Sequence, residues 1–206
     1  MKKLLLATHN QAKLDELKIG LKPLEKAGVK IVSLNDLGIK VEPEEAGKTF
    51  EENALLKAKF YANLAALPTL TDDGGICIDA LNGEPGVKSH TWLGYKADDE
   101  ELIRHTLERL KNVPKRQRTA YLTTTICFYD FITKTQLFEE GRLNGYISYQ
   151  TSSKRIKGYP YRSLFILPYL NNKYYDELTQ KEHAKINHRL KAVKRLLQKI
   201  KPYLLQ

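Results

Sequence analysis

The chain has 206 residues, 42% of them hydrophobic and 28% charged, which is typical of a globular protein with one large domain or one domain of two lobes. No apolar run approaches the roughly 18 residues that a membrane span needs, and the apolar stretch after Lys3 is too short for a signal peptide. We therefore expect a cytoplasmic protein without a membrane partner. The formal net charge of +10 favours anionic partners such as nucleotides or nucleic acid.

The two cysteines indicate neither a disulfide nor a metal site. Cys77 and Cys127 each lie within an apolar, strand-like run, where a cysteine behaves as a small core residue. No cluster of cysteines and histidines has the spacing of a zinc site. The sequence therefore predicts that both cysteines belong to the core.

The first part of the chain alternates strands and helices. An apolar run at 4–7 fits a buried strand, and a helical pattern begins near Ala12 with Asn10 as its N-cap. The apolar face of this helix has residues at spacings of three and four, namely Leu14, Leu17 and Leu21. A second strand is predicted at 31–34, and a loop rich in acidic residues covers 35–48.

The middle of the chain begins with a well-marked helix. Thr49 and Glu52 form a capping box, with Thr49 as the N-cap and Glu52 reaching back to it. This helix ends before Pro68. Two short strand-like runs follow, at 67–71 and 76–80.

The second half of the chain is rich in strands. The predicted elements are a helix at 98–111, strands at 121–129, 136–139 and 143–149, an irregular basic segment at 150–163, a short strand at 164–167 and a helix at 180–201. This order predicts an α/β domain with a mixed sheet, long enough for two lobes with a cleft between them.

The run Asp72-Asp73-Gly74-Gly75 lies between the two strand-like runs. Two adjacent carboxylates repel each other, and a hard cation such as Mg²⁺ relieves that repulsion. The two glycines remove side chains, so a bulky anionic ligand can approach the backbone closely. Because Asp and Gly are also common turn residues, the segment alone fits a polar turn between two strands as well.

The segment 8–13 is a candidate phosphate site, because a strand there leads directly into a helix. Helix N-termini offer unpaired N–H groups and a partial positive charge. Thr8 and Asn10 can donate hydrogen bonds to phosphate oxygens, and Lys13 adds a full charge. The segment is not a P-loop. An ordinary capped helix with a surface lysine fits the same residues.

Three further charged features fit an ordinary solvated surface when each is considered alone. Glu44-Glu45 fits a charge pair in a loop, and Lys57 fits a surface lysine on the second helix. His188-Arg189 would suit an anion or a base edge at a helix start. It also fits the cationic face of an amphipathic helix whose apolar stripe packs on the core.

In order along the chain, these segments resemble the inosine triphosphate pyrophosphatase family, which hydrolyses non-standard purine nucleoside triphosphates. The family pattern S/T-x-N-x-x-K matches Thr8, Asn10 and Lys13, and E-x-G-x-T-F-x-E-N-A matches residues 45–54. A lysine follows at Lys57. The patterns D-D-S-G, G-x-P-G-V and S-H-R have their counterparts at 72–75, 83–87 and 187–189. Five motifs in order make this a specific resemblance.

The resemblance implies a fold and a reaction. The fold would be an elongated mixed β-sheet with flanking helices and two lobes around a central cleft, in a single domain over 1–206 that forms a homodimer. The reaction would be hydrolysis of a nucleoside triphosphate to the monophosphate and pyrophosphate. Mg²⁺ would be the cofactor, and nucleic acid would not be required.

The resemblance also implies roles for particular residues. Glu45, Asp72 and Asp73 would hold the metal, and Asp73 would in addition activate or position the attacking water. The residues predicted to bind the substrate are Thr8, His9, Asn10, Lys13, Lys57, Gly74, Tyr159, Arg162, His183, His188 and Arg189. The lysines and Mg²⁺ would offset the negative charge of the triphosphate and stabilise the transition state.

The chain departs from the family mainly where the family recognises the base. Tyr159 keeps an aromatic ring that can stack on a base, but Arg162 stands where the family has Asp. His183 aligns with a base-contacting Lys, while His9 and Gly74 replace the usual Gly and Ser. Because a donor-only cation replaces an acceptor-only anion, the sequence predicts a base preference altered from ITP, dITP and XTP.

Two other functions fit parts of the sequence. A nucleotide- or RNA-binding protein on the same scaffold, with little or no turnover, would use the net charge of +10 and the basic segment 154–157. Such a protein would have no reason to keep the acidic cluster, so hydrolysis is the favoured hypothesis. A Maf-like pyrophosphatase on a related scaffold would not account for the ordered motifs.

Overall fold

The fold is described from a computed structural model, which describes residues 2–205. The α-helices are α1 Gln11–Lys26, α2 Phe50–Ala65, α3 Asp99–Arg109, α4 Gln180–Ile186 and α5 His188–Leu204. The strands are β1 Lys3–Leu6, β2 Lys30–Ser33, β3 Thr69–Ile78, β4 Thr119–Tyr129, β5 Gln136–Ile147, β6 Phe165–Leu167 and β7 Lys173–Tyr174.

The strands form one seven-stranded sheet in the order β2-β1-β3-β4-β5-β6-β7. β1 is parallel to both β2 and β3, whereas β6 is antiparallel to β5 and β7. The sheet is therefore mixed, and helices flank it, which confirms the predicted α/β class. None of the helices in the range 2–205 is long and apolar enough to cross a membrane.

The described residues divide into two compact units. Unit 1 comprises Met1–Asp73, Thr124–Gly141 and His188–Gln206, and unit 2 comprises Gly74–Thr123 and Arg142–Asn187. Strands β3, β4 and β5 contribute residues to both units. Two units accord with the prediction of two lobes, and the predicted cleft stays a prediction.

Unit 1 has a core made by helix α1, helix α5 and the central strands. The predicted apolar face of α1 is buried, with Leu14, Leu17 and Leu21 at most 4% exposed. Val193 and Leu197 of α5 pack into the same cluster. Because full burial of such a side chain stabilises the fold by about 1.5–3 kcal/mol, this core holds the first loop and the start of α5 in place.

Unit 2 has its own core, in which the second half of β3 packs with helix α3. Ile76, Ile78 and Leu102 are fully buried there, together with Phe165 of β6. Arg118 is also buried, at 1% exposed, and its guanidinium donates hydrogen bonds to backbone carbonyls of unit 2. The residues of this core are different from those that form the core of unit 1.

The local signals for helix starts are confirmed. Asn10 caps α1, because its side-chain oxygen accepts a hydrogen bond from the backbone N–H of Lys13. Thr49 and Glu52 form the capping box of α2 with both reciprocal hydrogen bonds. Both cysteines are buried and free, as the apolar runs around them predicted.

Three predictions of local structure are wrong. The break predicted between strands at 67–71 and 76–80 is absent, and the alternative of a polar turn at 72–75 fails with it, because β3 runs continuously from Thr69 to Ile78. The two strands predicted at 136–139 and 143–149 are one strand, β5. The helix predicted at 180–201 is interrupted at Asn187, whose ψ of 114° is not helical. In each case pairing or burial in the sheet or core overrides the local preference.

Candidate active site

The two aspartates of β3 lie in different surroundings. Successive side chains of a strand point to opposite faces of a sheet, so Asp72 and Asp73 diverge although they are adjacent in sequence. Asp73 Oδ1 accepts a hydrogen bond from Lys57 Nζ at 2.7 Å. The same Nζ lies 3.1 Å from Glu45 Oε1, so Lys57 joins two carboxylates that are far apart in sequence.

Asp73 retains an unused acceptor. Asp73 is 6% exposed, and its Oδ2 is buried with no hydrogen-bond partner among residues 2–205. A buried carboxylate oxygen without a partner is costly, since it has given up water and gained nothing in return. The oxygen is therefore suited to an external ligand, such as a cation or a water molecule.

Asp72 belongs to a buried network of charges in unit 1. Its carboxylate forms ion pairs with Lys13 Nζ at 2.8 Å and with Arg189 Nε at 2.9 Å. The hydroxyl of Thr124 also donates a hydrogen bond to it. Arg189 in turn donates from Nη1 to Glu16 Oε2 at 2.7 Å. Both oxygens of Asp72 thus face cations supplied by the chain itself.

These surroundings move the pKa values of the aspartates in opposite directions. Burial alone would raise the pKa of the Asp72 carboxyl, but Arg189 and Lys13 beside it hold that pKa well below its usual range. For Asp73, burial is the largest effect and raises the pKa in spite of Lys57. Burial lowers the pKa of Lys57, but Asp73 and Glu45 more than offset this and raise it.

The loop that carries Glu45 is anchored to helix α2. The side-chain oxygen of Asn53 accepts a hydrogen bond from the backbone N–H of Gly47 at 2.8 Å, and Asn53 is 1% exposed. A Cβ on Gly47 would lie 2.5 Å from that same oxygen, so a glycine is needed there. The pattern around 45–54 thus encodes a fixed approach of the loop to the helix.

The first loop has the geometry expected of a capped helix start. The hydroxyl of Thr8 accepts a hydrogen bond from the backbone N–H of Asn10 at 3.2 Å. His9 is exposed, and its Nε2 lies 3.4 Å from the carbonyl oxygen of Val41. Lys13 is the residue of this loop that reaches the acidic cluster, through Asp72.

The residues predicted to recognise the base lie in unit 2. The guanidinium carbon of Arg162 lies 3.4 Å from the centroid of the Tyr159 ring and 4.8 Å from that of Tyr175. Tyr175 also contacts His183, whose Nε2 is 3.2 Å from the Tyr175 hydroxyl. Asn187 lies 3.1 Å from the same nitrogen. Arg162 and His183 thus belong to one cluster of aromatic and polar side chains.

The start of α5 is held closely against β5 in unit 1. His188 is 3% exposed, and a Cβ on Gly141 would lie 2.3 Å from its carbonyl oxygen. Only a glycine at 141 allows this approach. It places Arg189 against Asp72 and Glu16, and the Arg189 guanidinium forms ion pairs with both carboxylates.

The structure brings together most of the predicted phosphate and metal residues in unit 1. Those joined by ion pairs are Lys13, Glu45, Lys57, Asp72, Asp73 and Arg189. Gly74 continues β3 as the first residue of unit 2. Glu16, Thr124 and Asn53 were missed. Glu16 follows Lys13 by three residues on one helix face, a signal that was available, whereas Thr124 is distant in sequence and had none.

The carboxylates of this site are too few for a metal that is bound by protein ligands alone, but they suit a magnesium ion. Among the described residues no group of three or more His, Cys, Asp and Glu side chains could hold a metal. Mg²⁺, however, typically takes one or two carboxylates and completes its shell with water and substrate phosphates. Asp73 and Glu45 supply such a pair of carboxylates. Asp73 Oδ2 has no hydrogen-bond partner among the described residues, and Glu45 forms an ion pair with Lys57, as Asp73 does.

Comparisons with known proteins agree in sequence and in fold. The model of the Ham1 family matches residues 4–199. The chain is 40% identical over 200 residues to a dITP/XTP pyrophosphatase of Elusimicrobium minutum, which covers 97% of this chain and 100% of that protein. It is 37% identical over 196 residues to a dITP/XTP pyrophosphatase of Bacillus subtilis strain 168, with 95% and 96% covered.

Solved structures show the same likeness. A HAM1 protein from Coxiella burnetii superposes with a TM-score of 0.84 at 32% identity, over 98% of this chain and 100% of that chain. The Ham1 protein of Staphylococcus aureus superposes with a TM-score of 0.82 at 27% identity, over the same shares of the two chains, 98% and 100%. The similarity therefore extends over the whole fold as well as over the motifs.

Proposed function

The chain belongs to the Ham1 family, and on that premise we propose that it is a Mg²⁺-dependent nucleoside triphosphate pyrophosphatase. It hydrolyses a nucleoside triphosphate to the nucleoside monophosphate and pyrophosphate. The names of its relatives, dITP/XTP pyrophosphatase, support this reaction. The observation that carries the proposal is the buried, unpartnered Asp73 Oδ2 beside the ion-paired Lys57 and Glu45.

Glu45 and Asp73 are the proposed metal ligands. When bound, Mg²⁺ would polarise the phosphate oxygens and offset the charge that develops on them. The proposal leaves Asp72 out of the metal site, because its carboxylate is already paired with Lys13 and Arg189. Asp72 instead holds these two cations in place.

Lys13 and Lys57 are the proposed partners of the triphosphate. Each is largely buried and held by a carboxylate, so its ammonium group is fixed before the substrate arrives. Charges that are already oriented stabilise a transition state without reorganisation at the moment of reaction. The N-terminus of α1, with Thr8 and Asn10, adds backbone and hydroxyl donors.

Asp73 is also the proposed residue that positions the attacking water. Water attacks the α-phosphorus, the bond from that phosphorus to the bridging oxygen breaks, and pyrophosphate leaves. The raised pKa of Asp73, caused chiefly by burial, suits a carboxylate that accepts the proton of this water.

The proposed base preference differs from that of a strict dITP/XTP enzyme. Arg162 offers only hydrogen-bond donors, so it suits acceptors on the base. The O6 and N7 acceptors are the same in hypoxanthine, xanthine and guanine, so a guanidinium that reads them does not distinguish these bases. We therefore expect GTP to be cleaved within roughly tenfold of ITP, a ratio smaller than a single good polar contact gives.

A panel of nucleoside triphosphates in H₂¹⁸O tests both reaction and preference. Products are separated by chromatography, and the label is located by mass spectrometry. We expect pyrophosphate as a product and ¹⁸O in the monophosphate, because water attacks the α-phosphorus. Label in pyrophosphate would contradict the site of attack. Strong preference for ITP and XTP over GTP would contradict the altered selectivity. Salt-dependent RNA binding without hydrolysis of any nucleotide would favour the binding-protein alternative.

The role of Asp73 is tested by Asp73→Asn, with Asp15→Asn as its control. Asp15 is an exposed carboxylate on α1 that accepts a hydrogen bond from Gln11. Loss of a proton acceptor lowers the rate by roughly 10²–10⁴-fold, so we expect kcat of Asp73→Asn to fall at least a hundredfold. Asp15→Asn should stay within about twofold, since its carboxylate has no role in the reaction. Unchanged activity of Asp73→Asn would refute the assigned mechanism.

The homodimer and the cytoplasmic location stay predictions. Both follow from the resemblance and from composition. Sedimentation equilibrium of the full chain over a range of concentrations measures the first. Fractionation of the source cells measures the second.

A further inference from the structure

Tyr159, whose ring was predicted to receive the base, lies between an exposed loop and a buried helical turn. Residues 153–157 before it are all exposed and belong to no helix or strand. Residues 160–163 after it form a single 3₁₀ turn and are buried. The hydroxyl of Tyr161 in this turn donates a hydrogen bond to the carbonyl oxygen of Ser89 at 2.5 Å. The chain is thus well fixed after Tyr159, and the placement of the ring depends on what fixes the chain before it.

Asp99 provides this fixation from the first turn of helix α3. Its Oδ2 accepts a hydrogen bond from the backbone N–H of Gly158 at 2.7 Å, and Asp99 is partly buried. A hydrogen bond to a carboxylate is shorter and stronger than one between neutral groups. Gly158 has a φ of 84°, in the left-handed region that favours glycine. The bond therefore holds a particular backbone conformation directly before Tyr159.

The start of α3 does not itself require a carboxylate at position 99. Asp98 is the N-cap of this helix and forms a capping box with Glu101, with both reciprocal hydrogen bonds. Glu100 and Glu101 also supply negative charge to the first turn, where it suits the helix dipole. The capping box fixes where Asp99 lies, and the bond to Gly158 is a separate contact.

Two other carboxylates contact the same loop. Glu100 forms an ion pair with Arg155, but both side chains are exposed, and exposed pairs contribute little. Asp176 is 6% exposed, and its Oδ2 accepts a hydrogen bond from the backbone N–H of Ile156 at the longer distance of 3.3 Å. Of these three contacts, the one made by Asp99 lies nearest to Tyr159 in the chain.

We infer that Asp99 is a positioning residue, which fixes the loop before Tyr159 so that the ring is in place to stack on a base before the substrate binds. This inference rests on the proposed function. A ring that is held in its bound position costs less ordering when the ligand arrives. Because every base offers a face for stacking, Asp99 strengthens the binding of all nucleoside triphosphates and does not select among them.

The test compares kcat and KM for GTP, ATP and ribose 5′-triphosphate, which lacks a base. Asp99→Ala and Tyr159→Ala are each expected to raise KM for both nucleotides at least roughly fivefold, the lower end of what stacking of one base supplies. Their kcat should stay within about twofold of wild type, since stacking stabilises the bound substrate and the transition state equally. KM for ribose 5′-triphosphate should change less than about twofold. A general loss of structure would impair all three substrates.

Rescue by the conservative variant separates the hydrogen bond from the charge. Asp99→Asn keeps an oxygen that can accept the Gly158 N–H, so we expect KM for both nucleotides within about threefold of wild type. The matched control is Glu100→Ala, which removes the neighbouring carboxylate and its exposed pair with Arg155. It should leave KM unchanged. Asp99→Asn as impaired as Asp99→Ala, or an equal effect of Glu100→Ala, would overturn the inference.

A double-mutant cycle tests whether Asp99 acts through the ring. In the Tyr159→Ala background, Asp99→Ala should have no further effect on KM for the nucleotides, and additive effects would overturn the inference. Asp99→Ser replaces Asp99→Ala if the latter does not fold by circular dichroism, because serine suits a helix start and its shorter side chain does not span the bond to Gly158. If the wild-type chain cleaves none of the three compounds, the proposed function has failed instead. Dissociation constants of the same compounds, measured calorimetrically on the same variants, then decide on Asp99.

Discussion

Two adjacent aspartates of this chain have different ionic partners. Asp72 and Asp73 follow each other in β3 and point to opposite faces of the sheet. Each oxygen of Asp72 forms an ion pair with a cation of the chain, whereas Asp73 Oδ2 has no hydrogen-bond partner within residues 2–205. The pKa of Asp72 is therefore lowered and that of Asp73 raised. The sequence indicates that both aspartates bind a metal. In the structure Asp72 is an ion-paired carboxylate, and Asp73 is the candidate for a reactive one.

The Asp72 network gives a stability prediction. Arg189→Ala leaves Asp72 and Glu16 buried without their shared cation, and breaking a buried ion pair in this way lowers the free energy of unfolding by about 3–5 kcal/mol. Arg195→Ala on the same helix removes an exposed pair with Glu139 and should change it by less than about 1 kcal/mol. Urea denaturation measures both. Equal effects of the two substitutions would contradict a special role for the network.

Asp176 gives a prediction of pH dependence. The groups that act on it are Arg162, His183, Asp99 and the backbone N–H of Ile156. Its folded pKa of about 6 exceeds the ordinary aspartate pKa of 3.8, so its contribution to stability is lost as pH rises from about 4 through about 6. Asp176→Asn lacks this loss. Relative to wild type, its free energy of unfolding should rise by up to about 3 kcal/mol between pH 4 and pH 8.

The control for this titration is Asp36→Asn. Hydrogen bonds from Ser33 lower the pKa of Asp36, so its carboxylate stabilises the fold at higher pH and loses that effect as pH falls. Relative to wild type, Asp36→Asn should therefore become less stable, not more, as pH rises. Urea denaturation at several pH values measures both variants. If the free energy of unfolding of both variants, relative to wild type, changed in the same direction with pH, the Asp176 carboxyl would not be the cause of the pH dependence.

At the level of elements, helix α2 organises the acidic side of the site. It carries Lys57, which contacts Glu45 and Asp73, and Asn53, which anchors the loop that bears Glu45. The capping box at Thr49 fixes where this helix begins and hence where both side chains lie. One helix start thus determines the placement of Glu45, the proposed metal ligand of the loop, and of the Lys57 ammonium group.

Asn53→Ala tests this arrangement. Without the hydrogen bond to Gly47, the loop loses its anchor two residues from Glu45. Residues that support a metal ligand typically affect metal affinity by 10–100-fold, so we expect the Mg²⁺ concentration for half-maximal activity to rise by roughly tenfold. Asn63→Ala, at an exposed position of the same helix, should leave it unchanged. A Mg²⁺ activation curve that does not move in Asn53→Ala would contradict the anchoring role.

At the scale of the whole molecule, we expect folding to be independent of the proposed metal. Each unit has a buried apolar core of its own, and the buried carboxylates of Asp72 and Asp73 each form an ion pair with a lysine of the chain. We therefore expect the fold not to depend on a metal, in contrast to small domains that fold only around one. The net charge of +10 adds a general attraction for anions such as a nucleotide.

Chelation tests this separation. We expect EDTA to abolish hydrolysis while the far-ultraviolet circular dichroism and the unfolding midpoint change little, because the cores remain intact. Added Mg²⁺ should restore activity. Mg²⁺ together with a nucleotide should raise the midpoint by mass action. Unfolding on chelation would contradict the expectation that the two apolar cores hold the fold without a metal.

The sequence alone determined the features that depend on neighbouring residues and on ordered motifs. The caps at Asn10 and Thr49, the apolar face of α1, the mixed α/β class and the family followed from it, because these depend on local hydrogen bonding and on periodicity. Only the tertiary structure decided that the Asp72–Gly75 run stays extended and that Asp72 is paired. It also decided that Arg189 pairs with Glu16 and Asp72, since partners distant in sequence and burial set those interactions.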